Sequence, residues 1–269
     1  SILIFKMDPG SYTRVRKRPK VVTPPLKNRK SAIPWKERSN PESEFIYQRF
    51  LTYCPESAEK MPADLINLSP LDLDHRIFPA TEFRRCLNQV MVNMGSKILS
   101  YGSYQGFKPL REDIAHRLQV HGISVTAEEI LITSGAQQAI ELVLKLLGRR
   151  GEHIVIEAPT YANIIPLIHL HGLKILGVPM TSGGMSLDIL SEKIEEQKPC
   201  LVYTIPNFQN PTGITSSQSH REQLLSICER NQIPLIEDGF EEEMKYFGKI
   251  VLPIKSMDTQ RESIYLGTF

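Results

Sequence analysis

With 269 residues, 41% of them hydrophobic and 23% charged, the chain is ordinary for a soluble globular protein and long enough for one large α/β domain or two small ones. Its apolar runs are far shorter than a membrane span, which excludes a transmembrane helix. Four scattered cysteines (Cys54, Cys86, Cys200, Cys228) form no CxxC pair and are expected to be free thiols in a reducing cytoplasm, with Cys86 and Cys228 in core positions.

The net charge of +2 conceals an asymmetry. Residues 1–40 hold eleven Lys and Arg against Asp8 and Glu37, a net of +9, which leaves −7 on the other 229 residues. A basic arm on a mildly acidic body fits a polyanion near the arm as well as it fits a solvated linker. The stretch "RKRPKVVTPPLKNRKSAIPWKERSNPES" has five prolines and no sustained periodicity, so residues 16–62 read as a basic, semi-extended connector. A short helix is expected within it at "SEFIYQRFLTY".

From residue 63 the pattern changes. "PATEFRRCLNQVMVNMG" predicts a helix with Phe83, Leu87 and Val90 or Met91 at helical spacing. "PLREDIAHRLQVHG" predicts another, with Leu110, Ile114 and Leu118 on one stripe. Strands are then expected at 129–133, 153–159, 174–180, 200–206, 233–238 and in "SIYLG". Helices at "AQQAIELVLKLLG", "YANIIPLIHLHG", "LDILSEKIEE" and "SSQSHREQLLSICERN" separate the first five. Apolar strands alternating with amphipathic helices predict a three-layer α/β fold, a mainly parallel sheet flanked by helices.

In such sheets ligands sit beyond the carboxyl ends of the strands, so the residues following each strand carry the functional reading. In "TSGAQQA", Gly135 permits a tight turn, the Ser134 hydroxyl is placed to cap the next helix, and the helix start offers backbone N–H groups to a phosphate. Many such junctions bind nothing, and neither GxGxxG nor a Walker loop is present. In "EAPTYANI", Tyr161 is placed either to stack on a flat ring or to fill the core with its hydroxyl satisfied. In "IPNFQNPTG", Pro211 drives Asn210 into an extended conformation, as a ligand-facing amide or as part of a turn and nothing more. In "EDGFEEE", Asp238 is a strand-end carboxylate that either meets a cationic ring nitrogen or caps the next segment. His169 and His171, two apart, make a poor metal pair, and no metal site is expected.

Taken in order, "YGSYQGFKPLREDIA", "ITSGAQQAIEL", "IEAPTYANI", "YTIPNFQNPTG", "IEDGFEEEMKY" and "IYLGTF" resemble the class I/II aminotransferases of pyridoxal phosphate fold type I, over residues 63–269. Within that group the resemblance is nearest to the aminotransferase-like domain of MocR-type regulators of the GntR family. There "INLSPLDLDHRIFPATEFRR" is similar to the segment that opens the domain. "GSYTRV" is similar to the end of a winged-helix wing, which makes residues 1–15 a wing remnant.

The resemblance implies pyridoxal 5'-phosphate as cofactor and assigns the residues. Gly135, Ala136 and Gln137 would hold the phosphate, Tyr161 would stack on the pyridine ring, and Asn210 would hydrogen-bond its phenolic oxygen. Asp238 would pair with the protonated ring nitrogen, and Tyr101 would reach the phosphate of the neighbouring subunit of a homodimer. Phe240 stands where the family usually has Tyr, which removes a hydroxyl near the phenolic oxygen. The family continues from "GTF" into Ser-Lys, and that lysine forms the Schiff base, so the sequence reads as a fragment whose catalytic residue is unknown. Lys245, Lys249 and Lys255 precede the last strand and do not replace it. The small domain and its carboxylate-binding arginine are expected to be missing as well. By itself this stretch is expected to be inactive, to hold cofactor weakly and to form no covalent adduct. Two functions stay open: a transcription regulator that reads DNA through an upstream winged-helix domain and senses or acts on an amino acid, or a free-standing amino-acid aminotransferase. Either is expected to be cytoplasmic.

Overall fold

The computed structural model describes residues 4–6, 14–16, 33–41, 43, 44, 48, 76–239 and 251–268. The chain divides into two compact units, Ser1–Asn40 and Pro41–Phe269. In the first, strands β1 (Ile4–Lys6) and β2 (Arg14–Arg16) pair antiparallel with Phe5 opposite Val15. A single helical turn, Trp35–Arg38, follows.

The second unit is built on a six-stranded sheet. Its strands are β3 (His153–Ala158), β4 (Lys174–Thr181), β5 (Gly184–Met185), β6 (Leu201–Thr204), β7 (Leu235–Asp238) and β8 (Ser263–Leu266), in the order β5-β4-β3-β6-β7-β8. Every neighbouring pair is parallel except β4–β5, a short hairpin. The sequence reading did not include that hairpin, because two residues are too few to show a period.

Strand alternation sorts the side chains onto two faces. On one, Ile154, Ile156, Leu201, Tyr203, Ile236 and Leu266 pack against Ile140, Val143 and Leu144 of helix Ala136–Leu147 and against Ile164 and Ile168 of helix Ile164–Leu170. On the other, Val155, Val178, Val202 and Leu235 meet Leu190 and Ile194 of helix Leu187–Gln197. Leu224, Leu225 and Cys228 of helix Gln218–Asn231 complete that layer. This is why Leu201–Tyr203 of β6 and Leu235–Ile236 of β7 are apolar on consecutive residues: both faces are covered, and each Ile or Leu removed from water contributes about 1.5–3 kcal/mol. Ser217 caps helix Gln218–Asn231 by accepting from the His220 N–H at 3.3 Å, and the helix ends at Gln232 in the left-handed region (φ 55°).

Three expectations change. Residues 129–133 are not a strand: a 3-10 turn occupies Ala127–Glu129, and Ile132 donates its N–H to the Gln105 carbonyl at 2.9 Å. The apolar spacing of "EILIT" therefore serves packing on the turn at 103–107, where Ile132 closes over Gly106 so tightly that a Cβ there would come within 2.5 Å of it. The helix expected from "PATEFRRCLNQVMVNMG" forms as Ala80–Met94, but none of its residues is buried; Phe83, Leu87, Val90 and Met91 are all exposed in this chain. Cys86 lies on that helix and is exposed, whereas Cys228 is buried as expected. The second helix runs Lys108–Val120, with Pro109 in its first turn and Leu110, Ile114 and Leu118 half-buried. The helix expected at "SEFIYQRFLTY" and the acidic run 241–243 lie largely or wholly outside the described residues.

Candidate functional site

The parallel register brings the carboxyl ends of β3, β6, β7 and β8 to one rim. Ile156 lies opposite Tyr203, Tyr203 opposite Ile236, and Asp238 opposite Leu266. Tyr161, Asn210 and Asp238 occupy the segments leaving this rim or its last position.

Gly135 is the N-cap of helix Ala136–Leu147, with φ 84° and ψ 171°, a backbone conformation that side chains other than glycine's oppose. Among the described residues, its chain neighbours aside, no heavy atom lies within 4 Å of where a Cβ would stand, so the turn is open on that side. Ser134 does not cap with its hydroxyl. Its backbone N–H donates instead to the Gln138 side-chain carbonyl, and Thr133 Oγ1 donates to the Gly135 carbonyl at 3.1 Å. The first-turn N–H groups, those of Ala136 and Gln137 among them, have no carbonyl within the helix to meet, and they carry the positive end of its dipole.

Tyr161 is half-buried, and its hydroxyl oxygen accepts from Gln137 Nε2 and from Asn163 Nδ2, each at 3.1 Å. The Gln137 side chain is thus engaged with Tyr161, while its backbone N–H stays at the helix start. Tyr161 packs on the apolar cluster that includes Tyr203. Tyr203 is fully buried and donates to Asp238 Oδ2 at 2.6 Å, and Asp238 itself is buried. Burial first, and then the Asp238 carboxylate, hold the Tyr203 phenol well above the usual tyrosine range, so it stays a donor at every working pH.

Asn210 is half-buried, next to a knot centred on Gln209, and both the Ala158–Pro159 and Asn210–Pro211 peptides are cis. Gln209 Nε2 donates to the Pro159 carbonyl at 2.7 Å and to Glu157 Oε2 at 2.9 Å. Its Oε1 accepts from Thr212 N at 3.0 Å and Thr212 Oγ1 at 2.6 Å. One side chain therefore ties the Asn-Pro-Thr-Gly turn to the exit of β3, which brings Asn210 towards the segment bearing Tyr161.

Glu157 sits on the sheet face opposite Asp238. It accepts from Thr204 Oγ1 at 2.6 Å and from Ile205 N at 3.1 Å, as well as from Gln209. Burial outweighs these donors and raises its carboxyl to about 7. Arg221, fully buried, anchors the other arm of the loop: Nε donates to Ser216 Oγ at 3.1 Å, Nη2 to Pro206 O at 3.0 Å and Asn207 Oδ1 at 2.6 Å, and Nη1 to Leu252 O at 3.0 Å. Beneath β7, Glu237 accepts the Ile254 and Lys255 N–H groups, each at 2.7 Å.

Sequence reasoning did not single out Tyr203, Glu157, Gln209 or Arg221. An acid inside the apolar run "HIVIEA" was a readable signal for Glu157; Arg221 gave none, since it sits on a polar helical stretch. Tyr101 stands fully exposed, and Phe240 lies outside the described residues. Among the described residues no group of three or more His, Cys, Asp or Glu could hold a metal ion, and no helix is long and apolar enough to cross a membrane.

These residues fit a flat, phosphorylated, cationic ring: an open glycine cradle at a helix start, a half-buried tyrosine beside it, and a buried carboxylate deeper in the rim. The architecture is that of the large domain of a pyridoxal-phosphate-dependent transferase. The chain belongs to the aminotransferase class I and II family, whose model matches residues 63–242. It is 34% identical over 198 residues to aromatic-amino-acid aminotransferase 1 of Thermococcus litoralis, covering 71% of this chain and 48% of that protein. It is 33% identical over 205 residues to the uncharacterized HTH-type transcriptional regulator YdfD of Bacillus subtilis, covering 76% and 42%. Among solved structures it resembles the kynurenine aminotransferase of Pyrococcus horikoshii in complex with PMP, at TM-score 0.77 and 31% identity, over 88% of this chain and 59% of that one. LysN, the α-aminoadipate aminotransferase of Thermus thermophilus complexed with N-(5'-phosphopyridoxyl)-L-leucine, matches at TM-score 0.75 and 26% identity, over 88% and 59%. The chain spans about half the length of the curated relatives it matches.

Proposed function

We propose that this chain is the cofactor-holding part of an amino-acid-sensing or amino-acid-converting regulator of the MocR type. The rim geometry supports pyridoxal 5'-phosphate with its phosphate at Gly135, Ala136 and Gln137, its ring against Tyr161, its phenolic oxygen near Asn210 and its ring nitrogen at Asp238. When bound, the group supplies an electron sink for the carbon next to the amino group. This chain's residues do the rest. The helix start takes the phosphate charge, Gln137 and Asn163 hold the Tyr161 ring in place, and the Gln209 knot positions Asn210. The Asp238 carboxylate would pair with the protonated ring nitrogen. Tyr101, fully exposed, suits a role in the site of a second subunit.

The observation that carries the regulator reading is the leading unit. The hairpin β1–β2 lies within residues 1–40, which carry a net charge of +9, as a wing followed by a basic linker would. Similarity to HTH-type regulators over 76% and 77% of the chain supports it. A free-standing aminotransferase is the second reading, favoured by 34% identity to the Thermococcus enzyme and 35% to a 2-aminoadipate transaminase. The test uses the full-length protein, mixed with amino donors and 2-oxoglutarate and, separately, with DNA from upstream of its own gene. Retardation of that DNA, altered by an amino acid, is the expected result. Rapid amino transfer without DNA binding, from a reading frame holding no helix-turn-helix before Ser1, overturns it.

A further inference from the structure

We infer that Tyr203 is the positioning residue for Asp238, holding the ring-nitrogen carboxylate in place from within the sheet. The inference rests on the cofactor reading above and names the group that makes it work. Asp238 ends β7, where a carboxylate with its χ1 and χ2 free could turn towards the loop that follows. Tyr203 lies one strand away on the same face, opposite Ile236 in register, with its ring locked in the apolar cluster and no exposed surface. Its hydroxyl meets Asp238 Oδ2 at 2.6 Å, a length typical of a hydrogen bond to a charged acceptor. The phenol cannot swing aside, because Ile156 on β3 and Ile236 on β7 flank it at the same register level.

A buried carboxylate is costly without a donor, and Tyr203 provides one before any ligand arrives. The carboxylate is then oriented by the protein and needs no reorganisation when a cationic ring nitrogen approaches. Tyr161 packs on the same apolar cluster that holds the Tyr203 ring. Nothing in the run "LVYTIP" distinguishes this tyrosine from an ordinary core aromatic; the cross-strand register does.

The test is a double-mutant cycle on the affinity of the full-length protein for pyridoxamine 5'-phosphate, which binds without a covalent bond and so reports the ring site alone. Tyr203→Phe, which removes only the hydroxyl, should weaken binding about three- to tenfold, the size of one ordinary net hydrogen bond. Asp238→Ala should weaken it further. Adding Tyr203→Phe to Asp238→Ala should change affinity by less than about twofold, because the hydroxyl acts only through the carboxylate. Circular dichroism and thermal melting check that each variant folds, and Asp238→Asn, which keeps the shape, replaces the alanine if that variant does not. Equal losses from Tyr203→Phe with and without Asp238 would make the tyrosine merely structural and overturn the inference. Unchanged binding in Tyr203→Phe, with loss in the Asp238 variant, overturns it too and leaves the cofactor reading standing. Unchanged binding in both Asp238 variants overturns the cofactor reading itself.

Discussion

Replacing Arg221 with Met is expected to cost about 3–5 kcal/mol, the range for removing one partner from a buried charged network. Arg221 has no exposed surface and donates four hydrogen bonds, to Ser216 Oγ, Pro206 O, Asn207 Oδ1 and Leu252 O, at 2.6–3.1 Å. Methionine fills much of the stem volume but donates nothing. Pro206 O keeps the Ser216 N–H at 2.9 Å and the Ser216 hydroxyl at 3.1 Å, so its loss is small. The Leu252 carbonyl and the Asn207 side chain each lose a charged donor, at about 1–3 kcal/mol apiece, and this dominates the sum. Against a total stability of about 5–15 kcal/mol, the effect is large and easily measured as a lower urea midpoint at unchanged slope. Because Pro206, Asn207 and Ser216 bracket the turn bearing Asn210, pyridoxamine 5'-phosphate should also bind more weakly to whatever fraction stays folded. Arg221→Lys should recover only part of the loss, since one ammonium cannot span donors on opposite sides of a guanidinium. A midpoint that gives less than about 1 kcal/mol for Arg221→Met would refute the view that this guanidinium organises the loop.

Glu157 gives a pH prediction. Its carboxyl rises from 4.5 to about 7 on folding, mainly through burial. The native state therefore keeps a proton that the unfolded chain has released, and stability falls as pH rises between those values, by about 3 kcal/mol from this group. In Glu157→Gln that part of the slope should vanish in a pH series of denaturant melts; an identical slope would contradict it. Gly135→Ala should destabilise by about 1–3 kcal/mol through its backbone alone, since a Cβ there would meet nothing within 4 Å at φ 84°. Gly183→Ala, with an ordinary φ and its nearest neighbour at 3.9 Å, is the matched control and should be neutral in the same melts. Alkylation mapped by mass spectrometry should modify Cys86 quickly and Cys228 only after unfolding, because burial pushes the Cys228 thiol to about 12 while Cys86 is exposed. Rapid labelling of Cys228 in the native protein would argue against the packing of helix Gln218–Asn231.

The sequence alone was enough to determine the alternation of apolar strands with amphipathic helices, and hence a parallel sheet covered on both faces. Hydrophobic period is a local property, and it survives in the string of residues: β3, β6, β7 and β8 fall within the expected runs, and β4 exceeds its run by one residue, Thr181. It also pointed to Tyr161, Asn210 and Asp238, because turn chemistry after a strand is local as well. It misjudged "EILIT", whose apolar spacing answers to packing on Gly106 and not to a sheet. It placed Cys86 in a core on the strength of a helical stripe that this chain leaves exposed. Only the tertiary structure could decide which polar groups meet: Tyr203 with Asp238 across 35 residues, Glu157 with Gln209 across 52, Arg221 with Leu252 across 31. Such pairings depend on strand order and register, and these are set by how the whole sheet buries its two faces, which no short window of sequence contains.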